Sequence, residues 1–243
     1  MLEEYVAVDL EMTGLKASRD RILEIGAVRC QRGEETEKFQ VIVNPGIPLP
    51  EEIAALTGIT SVMAQGGADL RRAMENFLEF WQGLPLVGHN LYYDFSFLKQ
   101  NAVNLGLSLE AWGLDTLKLS RKLLPKEESK TLEALGLRFG LFQGQKHRAL
   151  EDARACGRLL ELLWREFGAG REELFAPTAL EYKVKKRSPI TSQQKKYLKD
   201  FAGYHKIELP AELETLTRNE ASRLTDRLIS QYGRMPKIGR HAH

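Results

Sequence analysis

The sequence predicts an α/β domain built on a mixed β-sheet flanked by helices, followed by a small helical module. Three observations carry this. β-branched and apolar runs come first, and helical periodicities follow with one further strand set among them. A length of 243 residues suits one domain of usual size plus a small one. Charge is also split: residues 1–180 hold 21 basic and 26 acidic side chains, a net −5, and residues 181–243 hold 14 and 7, a net +7. Opposite charges on two segments imply two modules, 1–180 and 181–243, with the second facing something anionic.

Tyr5-Val6-Ala7-Val8-Asp9-Leu10 is β-branched and apolar and reads as a buried strand. Arg21 to Arg29 alternates as a second strand and Lys38 to Val43 as a third, with Arg32-Gly33 turning between them, so a β-meander is expected. Asn44-Pro45-Gly46 ends it with turn chemistry. Asp69 to Trp81 spaces Leu70, Met74, Phe77 and Leu78 as one helical face. Leu84 to Gly88 reads as a short central strand leading into His89-Asn90, and Phe95 to Leu105 and Leu132 to Phe139 as helices. Arg148 to Phe167 carries the strongest helical pattern, terminated by Gly168 and Gly170. Tyr182 to Arg187 is a basic linker or exposed strand. Thr191-Ser192-Gln193-Gln194 and Thr217-Arg218-Asn219-Glu220 are capping-box patterns that open two helices, and Ile238 to His243 reads as a frayed tail.

Composition narrows the class. Hydrophobic residues at 43% and charged residues at 28% exclude a disordered or collagen-like chain. No apolar stretch approaches the roughly 18–20 residues of a membrane span. The first twenty residues are acidic and mixed, unlike a signal peptide. Cys30 and Cys156 are too few for a disulfide framework or a thiolate metal site. The expectation is a soluble cytoplasmic protein without a membrane partner.

Three segments carry chemistry. Asp9 and Glu11, two apart on a strand, project from one face just before Thr13-Gly14 turns the chain. Two such carboxylates repel unless a cation neutralises them, and oxygen-only ligands suit Mg²⁺ or Mn²⁺; alone, the pair also reads as an acidic strand end facing water. Gly88-His89-Asn90-Leu91-Tyr92-Tyr93-Asp94 puts Asp94 at a helix N-terminus, where a carboxylate is ordinary. His147 stands just ahead of a helix with Asp152 in its second turn; a histidine there suits a general base and is equally a common surface residue. Together, Asp9, Glu11, Asp94 and Asp152 with His147 can build a two-ion site with a base beside it, the apparatus of in-line phosphoryl displacement.

These residues, in this order, resemble the DEDDh 3′–5′ exonuclease family of the RNase H-like fold. Val8 to Leu15 looks like its first motif, His89 to Asp94 its second and His147 to Asp152 its third. Ile25-Gly26-Ala27-Val28, Val43-Asn44-Pro45-Gly46 and Leu56-Thr57-Gly58-Ile59-Thr60 are similar to the proofreading branch typified by the exonuclease subunit of bacterial DNA polymerase III, and the resemblance covers residues 4–167. It implies Asp9, Glu11, Asp94 and Asp152 as ligands of two Mg²⁺ or Mn²⁺ ions and His147 as the base for the attacking water. It also implies that Met12, Thr13, Leu15, Leu56 and Thr57 cradle the terminal nucleotide, with His89 and Asn90 either touching substrate or orienting the second motif. The implied activity is release of mononucleotides from 3′ ends of single-stranded DNA. The oligoribonuclease branch shares the first motif and the His-Arg-Ala-Leu outline, so RNA stays open as a substrate. A catalytically silent nucleic-acid clamp is the rival from another class, against which stands the presence of every acidic and basic part.

The basic segment, residues 183–243, invites three readings: a sequence-independent phosphate grip, a merely solvated lysine face, or a protein dock through Leu224, Leu228 and Tyr232. It is unlike the polymerase-docking tail of the proofreading subunit, which leaves a polymerase partner unassigned.

Overall fold

Tyr5, Val6, Ala7 and Val8 are buried without exception, because their strand is covered on both faces. The computed structural model describes residues 2–126, 128–142, 144, 147–185, 188–210, 213–214 and 216–236. The chain divides into two units, 1–185 and 186–243.

In the first unit, β1 (Glu4–Met12), β2 (Ile22–Gln31) and β3 (Glu34–Ile42) form the expected meander, antiparallel with Asp9 opposite Gly26 and Glu11 opposite Glu24. The β2–β3 turn is Arg32-Gly33, both at positive φ (51° and 84°), the mirror-image turn that matches strand twist. β4 (Leu86–Gly88) lies parallel to β1, and β5 (Trp112–Asp115) parallel to β4. A two-residue β6 (Thr178–Ala179) closes the edge, giving the order β3-β2-β1-β4-β5-β6.

The helices are α1 (Glu51–Thr57), α2 (Ser61–Gln65), α3 (Leu70–Trp81), α4 (Tyr92–Asn104), α5 (Thr116–Leu123), α6 (Leu132–Phe139) and α7 (Ala149–Phe167). Alternation along β1 assigns them to faces. Val6, Val8 and Leu10 pack with Met74 and Phe77 of α3 and with Phe95 and Leu98 of α4. Tyr5 and Ala7 pack on the other face with Leu159, Leu160 and Leu163 of α7. The side chains of Asp9 and Glu11, in phase with Tyr5 and Ala7, therefore point to the α7 face.

The α/β expectation holds, with differences at short elements. β5, β6, α1, α2 and α5 were not expected; each is eight residues or fewer, too short for a period to show in sequence. α4 starts at Tyr92 rather than near Phe95, because Asn90 takes the left-handed conformation (φ 67°) and turns the chain early. α7 starts at Ala149, so Asp152 lies in its first turn, not its second.

The second unit holds α8 (Ser192–His205) and α9 (Arg218–Tyr232), each opened by a complete capping box, Thr191 with Gln194 and Thr217 with Glu220. The segments leading into these helices pair: Ile190 N–H donates to Leu216 O (2.8 Å) and Arg218 N–H to Ser188 O (2.8 Å). Ile190, Leu198, Leu213, Ala221 and Leu224 form its core, with Leu228 packed against them. Leu224 and Leu228 are thus consumed internally, which removes them from the expected protein dock; Tyr232 is 41% exposed. The expected frayed tail, Ile238 to His243, lies outside the described residues. Among the described residues no helix is long and apolar enough to cross a membrane.

Candidate active site

Asp9, Glu11 and Asp152 each offer a carboxylate oxygen, and these lie within 4.8 Å of one another. Two are placed by β1 and the third by the start of α7. That helix comes down onto the sheet at Gly26, opposite Asp9. A Cβ at position 26 would stand 2.1 Å from both the Ala149 carbonyl carbon and the Leu150 nitrogen. Only a residue without a side chain lets the helix N-terminus approach this closely.

Glu24, fully buried on β2, fixes the same helix end. Its carboxylate accepts from Ala149 N–H (3.1 Å), Arg148 Nε (3.1 Å) and Arg148 Nη2 (2.6 Å), and from Gln40 Nε2 (2.7 Å). The N–H groups of a first turn have no helical partner, and a carboxylate is their strongest acceptor. Sequence reasoning missed Glu24, since in Arg21 to Arg29 it reads as an ordinary polar position; its burial arises only when α7 lands on it.

Asp94 joins from the other side of β1. The N–H groups of even residues on β1 face β4: Val6 donates to Pro85 O at 2.9 Å. β4 ends at Gly88, and beyond it Leu10 N–H donates to Asp94 Oδ1 at 3.0 Å. The carboxylate continues the ladder past the end of the strand, which holds it, 4% exposed, beside Asp9.

Burial pushes all four acids up, and the charges of their cluster neighbours add to it at Asp9 and Glu11. Asp9 is raised well above the ordinary carboxylate range by burial, then by Asp94, Asp152 and Glu11. Burial and the charge of Asp152 raise Glu11 to about 8, eased by Arg148. Asp94 rises to about 7 and Asp152 to about 6, again chiefly through burial. A cluster of oxygen donors held together against its own charge suits hard divalent cations.

His147 closes the α7 end. It takes the left-handed conformation (φ 56°), its backbone hydrogen-bonds the Asp152 carboxylate, and its charge pulls the Asp152 pKa down against burial. The residue is half-buried.

The residues expected to cradle a nucleotide divide. Leu15 and Leu56 are 66% and 53% exposed, open apolar surface on the loop after β1 and on α1. Met12 is partly buried against the core, and Thr13 pairs with Arg21, donating through N–H to Arg21 O and accepting from Arg21 N–H at Oγ1, both at 2.9 Å. Thr57 departs from expectation. It is 1% exposed, and its hydroxyl donates to Ile53 O (2.9 Å) and accepts from Ile59 N–H (3.1 Å), so it shapes the end of α1 and offers a ligand nothing. His89 has its ring held on both sides: Nδ1 meets Thr116 Oγ1 (3.0 Å) and Nε2 meets Lys130 O (2.7 Å). With both ring nitrogens spent, the orienting alternative is the one the hydrogen bonds support. Asn90 donates its N–H to Asp115 Oδ1 (3.0 Å) and turns the chain into α4.

Fold and site together define an α/β protein with a buried cluster of carboxylates at the end of its central strand. Residues 6–160 match the family model described as Exonuclease, and the chain belongs to that family. Among relatives, it is 36% identical over 171 residues to DNA polymerase III subunit epsilon of Aquifex aeolicus, covering 68% of this chain and 85% of that one. It is 40% identical over 156 residues to DNA polymerase III PolC-type of Caldanaerobacter subterraneus, 64% of this chain but 11% of the relative, so it spans about a tenth of that protein's length. In structure it is similar to Escherichia coli exonuclease I solved with a dT13 oligonucleotide, with a TM-score of 0.63 at 18% identity over 71% of this chain and 43% of that one. These neighbours bear out the RNase H-like fold.

Proposed function

We propose that the chain is a divalent-metal-dependent 3′–5′ exonuclease that removes mononucleotides from single-stranded DNA. The observation that carries this is the convergence of Asp9, Glu11 and Asp152 oxygens within 4.8 Å, with Asp94 alongside, in a member of the exonuclease family. The relatives named for polymerase III and the neighbour solved with a DNA oligonucleotide favour DNA over RNA.

Asp9, Glu11, Asp94 and Asp152 would hold two Mg²⁺ or Mn²⁺ ions, which when bound supply a polarised water and charge neutralisation for an in-line displacement. His147 takes the proton of the attacking water. As the new oxygen–phosphorus bond forms, the bond to the 3′-oxygen of the preceding nucleotide breaks, and that oxygen leaves to be protonated. Leu15 and Leu56 offer apolar faces to the terminal base, while Met12 and Thr13 shape the turn beneath it. The basic 186–243 unit adds sequence-independent hold on phosphates, and the protein works in the cytoplasm where such ends arise.

Digesting matched DNA and RNA oligomers labelled at the 5′ end, with Mg²⁺, with Mn²⁺ and with EDTA, tests the reading. Stepwise shortening of DNA that needs a divalent ion is expected; RNA shortened in preference to DNA reverses the substrate assignment, and no shortening with either ion rejects the activity.

A further inference from the structure

We propose a second nucleotide site in the first unit, a groove at β5 and β6 that carries the strand leading to the 3′ end. The proposal rests on the exonuclease reading above. Sheet order supplies the direction. The apolar cradle belongs to the β2–β3 side of β1: Ile53 of α1, the helix that bears Leu56, packs with Leu23 of β2 and Ile42 of β3. The acidic cluster sits on β1, and Asp94 on its β4 side. A strand that runs from a last nucleotide by β2 past a phosphodiester at β1 and on toward the Asp94 side passes β4 and reaches β5 and β6.

A cavity of about 230 Å³ lies beyond β4, at β5 and β6, lined among others by Leu91, Tyr92, Asp115, Lys118, Lys122 and Leu180. Tyr92 is two residues from Asp94, is 51% exposed, and is braced edge-on by Tyr93 (5.9 Å) and Tyr182 (6.2 Å), which leaves ring surface free for a base. Lys118 and Lys122 are one turn apart on the same face of α5, which carries Arg121 as well and no carboxylate. Neither lysine makes an ion pair among the described residues. Asp115, the carboxylate between them and the site, is engaged by the N–H groups of Asn90, Leu117 and Lys118. Glu181 stands in the lining too. A supported aromatic ring above an apolar hollow, with a pair of unpaired ammonium groups on a unit otherwise net acidic, is the combination that holds single strands without reading their sequence.

The test compares an oligo-dT of about twelve nucleotides with the dinucleotide pdTpdT, too short to enter the groove. For Tyr92→Ala, and separately for Lys118→Ala/Lys122→Ala, the ratio of kcat/KM on the oligomer to that on the dinucleotide is expected to fall about tenfold, with the change in KM. The lysine pair should also flatten the salt dependence of oligomer KM, by about 0.7 in log–log slope for each phosphate no longer neutralised. An unchanged ratio and slope in both variants overturns the groove. Wild-type protein that degrades neither substrate overturns the exonuclease reading instead, and the groove with it.

Discussion

Arg148 and Glu24 form an ion pair across 124 residues, Nη2 to Oε1 at 2.6 Å and Nε to Oε2 at 3.1 Å, with the carboxylate at zero exposure. The same carboxylate takes the Ala149 N–H, so one buried acid seats the end of α7 that delivers both His147 and Asp152. Glu24→Ala leaves the Arg148 guanidinium and a helix N–H without their acceptor. A loss of about 3–5 kcal/mol is expected, the range for breaking a buried pair by removing one partner. Urea denaturation measures it, and a loss under about 1 kcal/mol would show that the pair does not seat the helix.

Gly26→Ala should act at the same junction by a different route. A methyl group 2.1 Å from Ala149 and Leu150 forces α7 off the sheet, at an overpacking cost of about 1–3 kcal/mol or more. Because Asp152 travels with the helix while Asp9 stays on β1, the larger effect is expected on divalent-ion affinity. Calorimetric titration with Mn²⁺ should show weakened binding even at temperatures where the variant is fully folded; unaltered affinity would mean that the helix end yields without moving Asp152.

The parts of this site that were legible in sequence are those carried by a local rule. Asp9 and Glu11 share a face because strands repeat every two residues, and Asp152 and His147 sit together because both flank one helix start. The meander, α3 and α7, and both capping boxes were legible for the same reason. Glu24 and Thr57 were not, because what decides each is a partner far along the chain or a buried hydroxyl: Arg148 for Glu24, the Ile53 carbonyl for Thr57. Trp112–Asp115 is four residues of strand between a loop and a helix, and its pairing with β4 is what makes it one.

The acidic cluster links metal, pH and stability. Asp94, Asp152 and Glu11 have folded-state pKa values of about 7, 6 and 8, above those of the unfolded chain near 4. The folded state therefore binds more protons, so the stability these groups contribute is full below about pH 4 and is lost as pH rises through 6 to 8. In EDTA the Tm should fall between pH 5 and pH 8, and saturating Mg²⁺ or Mn²⁺ should raise it more at pH 8 than at pH 5. A metal-induced rise that is the same at both pH values would contradict the repulsion described.

Asp152→Asn removes one charge from that cluster while keeping its shape. Metal-free protein at pH 8 should melt higher than wild type, since Asp152 adds to the repulsion felt by Asp9 and Glu11. Activity should drop by more than about 100-fold, beyond what is lost with outer-shell partners of a metal. Stability and activity moving in opposite directions is the signature; a variant that retains full activity removes Asp152 from the ligand set.

His147 supplies the last test, and its backbone dictates the substitution. At φ 56° most side chains strain the chain, whereas asparagine tolerates the left-handed region. His147→Asn should thus keep the loop and the hydrogen bond from its backbone to Asp152 while removing the imidazole. Turnover is expected to slow by about 10²–10⁴-fold, the worth of a positioned general base, with Mn²⁺ affinity and Tm close to wild type. A variant that turns over at the wild-type rate near pH 7–8 would leave water activation to the carboxylates and make His147 a residue that only shapes the start of α7.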